Sequence, residues 1–202
     1  VLGECELQVP GRHNVLNALA AVGVGLDLEI PFATIQRALA GFAGVQRRFQ
    51  VRGTAGGVTV VDDYGHHPVE IRATLAAAKA GFDRRVVTVF QPHRYSRTQH
   101  LRQEFLTAFN QADVLVVMDV YPAGEAPIPG VSGADLADGI RAHGHRDVVY
   151  LGSDRTRIVE HVCEISRPGD LVLTLGAGDV SQLGPDILRR LEAESPNGGT
   201  TC

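Results

Sequence analysis

Five short apolar runs constrain the fold of this chain more than any other feature: 58–61, 86–90, 114–118, 148–151 and 171–175, each almost unbroken in Val, Leu and other large apolar residues. Segments of helical spacing lie between them. One opens at Pro68 and carries Ile71, Leu75, Ala78 and Phe82 on one side. Another opens at Arg97 with Leu101, Phe105 and Phe109 four residues apart, and Ser96 with Gln99 fits a capping box. Two more fall near 134–142 and 155–165. A strand that is apolar on both faces must be covered on both, as in parallel sheets flanked by helices. The βαβα alternation therefore predicts a doubly wound, mostly parallel α/β domain over residues 47–192. A hairpin leads into it, with 50–54 and 58–61 flanking Gly56-Gly57.

Residues 1–46 read differently. Positions 1–9 alternate loosely, like the end of a strand, until Pro10 and Gly11 stop them. Residues 15–26 are Ala-rich and apolar nearly all round, which suits a buried helix. Pro31 opens a second, short helix. The run Gly44-Val45-Gln46-Arg47-Arg48-Phe49 is the expected domain boundary. The tail 193–202, with Pro196, Gly198 and Gly199, is expected to be disordered.

Two strands end in polar elbows. Val60-Val61 runs into Asp62-Asp63-Tyr64-Gly65-His66-His67-Pro68, and Val89-Phe90 into Gln91-Pro92-His93-Arg94-Tyr95-Ser96-Arg97-Thr98. In open α/β sheets the edge outside the carboxyl ends of the strands is where ligands bind. An Asp there can take ribose hydroxyls, and a His can handle protons near neutral pH. No metal site is expected, because adjacent elbow residues seldom point at one centre and nothing completes a coordination shell. The alternative for the first elbow is that one Asp and His67 cap the helix opened by Pro68. Arg94 and Arg97 flank a helix start, where free N–H groups and an Arg fork favour an anion. Asn14 and Asn17 share a helix face and could read a purine edge, or Asn14 could cap the helix. The long loop 119–130 falls at the same sheet edge and suggests a binding or lid role. Gly176-Ala177-Gly178 after a strand is a weak phosphate signal. No P-loop, nucleophile elbow or Cys-His arrangement stands out, so no catalytic residue is assigned.

A formal charge of −4 and a pI near 6.1 leave no broad basic footprint for nucleic acid. Three unpaired cysteines point to a reducing compartment. No apolar run approaches the roughly 20 residues of a membrane span, so a cytoplasmic protein without a membrane partner is expected. The chain opens on Val1 rather than Met and is expected to begin inside a longer protein.

Taken together, Gly11-Arg12-His13-Asn14-Val15-Leu16-Asn17-Ala18, the Gln46-Arg47-Arg48-Phe49 boundary and the two elbows resemble the Mur ligases of peptidoglycan synthesis. The elbows are similar to the alanine-adding branch in particular. The resemblance implies a Rossmann-like C-terminal domain for the incoming amino acid, preceded over residues 1–46 by the end of a central ATPase domain. It implies an ADP-forming ligase that joins L-alanine to UDP-N-acetylmuramate through an acyl phosphate. ATP and Mg²⁺ serve that chemistry, with the Mg²⁺ ligands, P-loop and UDP-binding domain expected upstream, so the fragment alone is expected to be inactive. Residue by residue, His13, Asn14, Asn17, Arg48 and Asp63 would bind ATP, and Tyr64, His66, His93, Arg94 and Arg97 would bind substrate. A recycling ligase that adds a tripeptide to the same sugar, and a non-catalytic binding module, are the competing readings.

Overall fold

The computed structural model describes residues 1–194. Gly11 at φ 101° opens helix α1 (Arg12–Asp27), and Pro31 precedes α2 (Phe32–Ala40). Gly56 and Gly57, both at positive φ, turn β1 (Gln50–Ala55) into β2 (Val58–Asp63), which pair antiparallel. Then follow α3 (Pro68–Phe82), β3 (Val86–Phe90), α4 (Tyr95–His100), α5 (Arg102–Phe105), β4 (Val114–Met118), α6 (Gly133–Ala142), β5 (Val148–Gly152), α7 (Arg155–Ile165), β6 (Leu171–Leu175), a 3-10 turn and α8 (Leu183–Glu194). The sheet order is β1-β2-β6-β3-β4-β5, and every pair after the first is parallel. The last strand thus inserts between β2 and β3, so the two elbows leave the sheet two strands apart.

Alternation along the strands explains the double cover. Val61, Phe90, Leu115, Val117 and Leu173 face one core with Ile71 and Leu75 of α3, Phe105 of α5 and Leu136 and Ile140 of α6. Their neighbours Val60, Val89, Val114, Val116 and Val172 face a second core with Ile158 and Val162 of α7 and Ile187 of α8. Polar residues on either face would have lost one layer, which is why the runs are apolar throughout. No described helix is long and apolar enough to cross a membrane.

Four expectations change. Residues 1–9 form no strand and pair with none of the six strands; Gln36 Nε2 donates to Glu4 O at 2.6 Å instead. The apolar helix α1 is not buried within this chain: Gly25 is its one buried residue, while Leu16, Leu19 and Val24 are about 60% exposed. The helix placed at Arg97 starts two residues earlier and breaks at Leu101 (φ −103°, ψ 20°). Thr98 Oγ1 donates back to Arg94 O at 2.8 Å, the kind of bond that bends a helix. Ser96 forms no capping box; its N–H and hydroxyl both donate to Glu125, at 3.0 and 2.7 Å. The expected tail lies outside the described residues except for Ala193 and Glu194, which close α8.

Candidate functional site

Adjacent strand residues point to opposite faces, and that separates the two aspartates of the first elbow. Asp62 accepts from Thr174 Oγ1 at 2.9 Å and Arg47 Nε at 3.1 Å. Asp63, 5% exposed, faces α3. Its Oδ1 accepts from Gly65 N at 2.7 Å and Thr74 Oγ1 at 3.2 Å, and its Oδ2 from Phe49 N at 2.7 Å. The carboxylate therefore shapes the elbow and pins the boundary segment, with Oδ2 keeping a lone pair for a further donor. His67 caps α3 by accepting from Val69 N at 3.3 Å, and Glu70 returns a carboxylate oxygen to the N–H groups of His66 and His67. The capping alternative holds for His67. Burial pushes the Glu70 carboxyl up, but the His66 N–H, the His66 ring, the His67 N–H and Arg48 together hold it below the ordinary glutamate value.

The second elbow is fixed by loop 119–130. Arg94 N donates to Tyr121 O and Tyr121 N to Pro92 O, both at 2.8 Å, and the His93 ring stacks on Tyr121 at 5.4 Å and 11°. Ala123 and Gly124, both at positive φ, turn Glu125 back onto the start of α4. Glu125 thus lies at this helix start, 3.6 Å from Arg94 Nη1. The Ser96 N–H, the Ser96 hydroxyl and Arg94 hold its carboxyl below the usual range. The near half of the loop braces the elbow. Arg94 still shows half its side chain to solvent, and Arg97 reaches the Nδ1 and O of His93 at 3.3 and 3.2 Å. Burial, followed by the charges of His66, Arg97 and Arg94, lowers the His93 pKa against the opposing pull of Glu125.

The elbows meet. Tyr64 and His66 are edge to face at 5.3 Å, and His66 lies 5.7 Å from His93, so Tyr64, His66, His93 and Tyr121 form a continuous ring contact along the rim. A cavity of about 580 Å³ opens there, and Tyr64, His66, His93, Arg94 and Arg97 all line it. A second cavity, about 690 Å³ between α1, the boundary segment and α3, takes His13, Asn14, Asn17, Arg48 and Asp63. Leu39, Phe42, Val45 and Val69 give it apolar walls. Asn14 does not cap α1; its Nδ2 donates to Pro10 O at 2.6 Å. Among the described residues no group of three or more His, Cys, Asp or Glu is placed to hold a metal ion.

The family model described as Mur ligase, glutamate ligase domain, matches residues 47–178. The chain belongs to the Mur ligase family. UDP-N-acetylmuramate–L-alanine ligases of Geobacter sp. strain M21 and Geobacter sulfurreducens are each 58% identical to it, over 95% of this chain and 42% and 41% of their own lengths. The solved UDP-N-acetylmuramate-alanine ligase of Thermotoga maritima superposes with a TM-score of 0.77 at 30% identity, over 96% of this chain and 41% of that one. The chain thus spans about two fifths of the length of these relatives.

Three residues that organise the two elbows were given no site role from sequence. Arg47, at φ 58°, joins the boundary segment to Asp62, to the carbonyls of Gly176 (2.6 Å) and Gly178 (3.3 Å), and to the Tyr64 ring at 4.9 Å. Glu70 and Glu125 organise the two elbows. For Glu70 the signal was present: it stands three residues after His67, the Glu spacing of a capping box. Glu125 arrives from a distant loop, and no local pattern announces it.

Proposed function

We propose that the chain is the C-terminal part of a UDP-N-acetylmuramate–L-alanine ligase, which uses ATP to form the amide between that sugar nucleotide and L-alanine in peptidoglycan synthesis. On this reading residues 1–46 end a central ATP-binding domain and residues 47–192 form the amino-acid domain of a cytoplasmic enzyme. The observation that carries it is the sorting of ten candidate residues into two adjoining cavities, one for each ligand set. In the larger, paired amides, Arg48 and Asp63 between apolar walls suit a base, phosphates and a ribose. In the smaller, Arg94 and Arg97 beside His93 suit a small carboxylate. Alanine would be held there while the sugar carboxylate, activated as an acyl phosphate, is presented from upstream domains that also supply the Mg²⁺ ligands. Such a reaction depends on clamped anions and held reactants rather than a side-chain nucleophile.

The relatives named above support this reading, as does the exposed apolar face of α1, which calls for a covering domain. The test is amide formation by the full-length protein from UDP-N-acetylmuramate and ATP with either L-alanine or a tripeptide. Alanine is the expected acceptor. Preference for the tripeptide would make the chain part of a recycling ligase, and turnover of neither would leave a binding module.

A further inference from the structure

Three histidines line the rim cavity, His66, His93 and His100, and the first two have their protons fixed in opposite senses by their neighbours. His66 Nδ1 lies 3.0 Å from the carbonyl oxygen of Tyr64. A carbonyl only accepts, so Nδ1 carries the hydrogen and Nε2 carries the lone pair. Nε2 makes no hydrogen bond to a described residue, and the ring lines the cavity. His93 is the reverse. Its Nδ1 faces Arg97 Nη1 at 3.3 Å, an atom that only donates, so His93 Nδ1 is bare and Nε2 holds the hydrogen. The cavity therefore pairs one imidazole able to receive a proton with one able only to donate, their rings 5.7 Å apart. Glu70, whose Oε2 is 3.8 Å from His66 Nδ1, stands where a carboxylate steadies an imidazolium. It is itself held by the His66 and His67 N–H groups and by Arg48 at 3.7 Å. Arg94, Arg97 and the donor face of His93 form the other side of the cavity, where an anion is favoured.

We propose that His66 is the general base of amide formation, its Nε2 taking the proton from the attacking amino group of alanine. This inference rests on the ligase reading above. Alanine arrives as the ammonium, and His66 Nε2 takes one proton from it and later passes that proton to water. The neutral amine so formed bonds to the acyl carbon of the acyl phosphate, the C–O bond to phosphate breaks with its electron pair on the phosphate, and the remaining surplus proton on nitrogen leaves with the phosphate. Arg94 and Arg97 hold the alanine carboxylate meanwhile, and Glu70 holds the imidazole.

His66→Asn keeps a donor for the Tyr64 carbonyl and removes the base. In the full-length protein its kcat with L-alanine is expected to fall about 10²-fold, as for loss of a general base. The alanine KM should change little. Hydroxylamine, unprotonated at neutral pH, should still trap the acyl phosphate as hydroxamate at the wild-type rate. An unchanged kcat, or a raised KM alone, would overturn the proposal by making His66 a holding group. If hydroxamate formation is lost too, His66→Gly with added imidazole decides: recovered alanine ligation supports the base, and no recovery overturns it. A wild-type protein that forms no amide would instead remove the ligase reading.

Discussion

Arg94 takes a left-handed backbone, φ 73°, so that its side chain leaves the rim while its N–H stays paired to Tyr121. Strain of this kind persists only where surrounding contacts over-determine it, and functional sites are where it gathers. His93, next to it, has a depressed pKa, which makes stability depend on pH. The unfolded chain takes up a proton near 6.5 and the folded one at lower pH, so the stabilising contribution is full above 6.5 and is lost as pH falls through the folded value. Thermal melts from pH 8 to pH 5 should show the melting temperature falling below about 6.5, and His93→Gln should flatten that part of the curve; an equal fall in both would assign the effect elsewhere. Asp63 offers a sharper case. Asp63→Ala leaves the Phe49 and Gly65 N–H groups without their acceptor in a buried setting, a loss of about 2–4 kcal/mol by denaturant titration. A change under about 0.5 kcal/mol would mean that water replaces the carboxylate. Both elbows could be picked out from the sequence because chemistry-bearing residues stood where strands end. The orientation of each carboxylate could not, since it depends on Thr74 and Phe49 from other elements.

At the scale of elements, strands and most helices were legible because their periods are local properties. The order of strands was not, because β6 enters between β2 and β3 through pairing of distant segments. The break at Leu101 also escaped, since the apolar spacing runs straight through it. Gly176, at φ 148°, shows a requirement hidden in a common residue type: a Cβ there would lie 2.8 Å from Gln91 O, so the turn after β6 admits no side chain. Loop 119–130 behaves as part of the second elbow, tied at Tyr121 and Glu125. Glu125→Ala should release this brace, and amides of residues 94–98 and 121–125 should exchange at least about tenfold faster while the central strands stay protected. Unchanged exchange in those segments would show that the His93–Tyr121 bridge alone is sufficient.

At the scale of the whole chain, two sealed cores sit beside an N-terminal piece whose helix α1 is largely open. A polypeptide of residues 47–194 is therefore expected to melt cooperatively within a few degrees of the 1–194 chain, and residues 1–46 alone should show little helix by circular dichroism. A large loss of stability on removing 1–46 would mean that α1 belongs to the core after all. The sorting of candidate residues into two cavities is the claim on which the functional account turns, and steady-state kinetics of the full-length protein test it most directly. Arg94→Ala should raise the KM for L-alanine about 30- to 100-fold, the loss expected for a charge-assisted hydrogen bond, and leave the KM for ATP unchanged, whereas Asn17→Ala should do the opposite. An Arg94→Ala enzyme with an unaltered alanine KM, or with its defect in ATP, would contradict the assignment of the rim cavity to the amino acid.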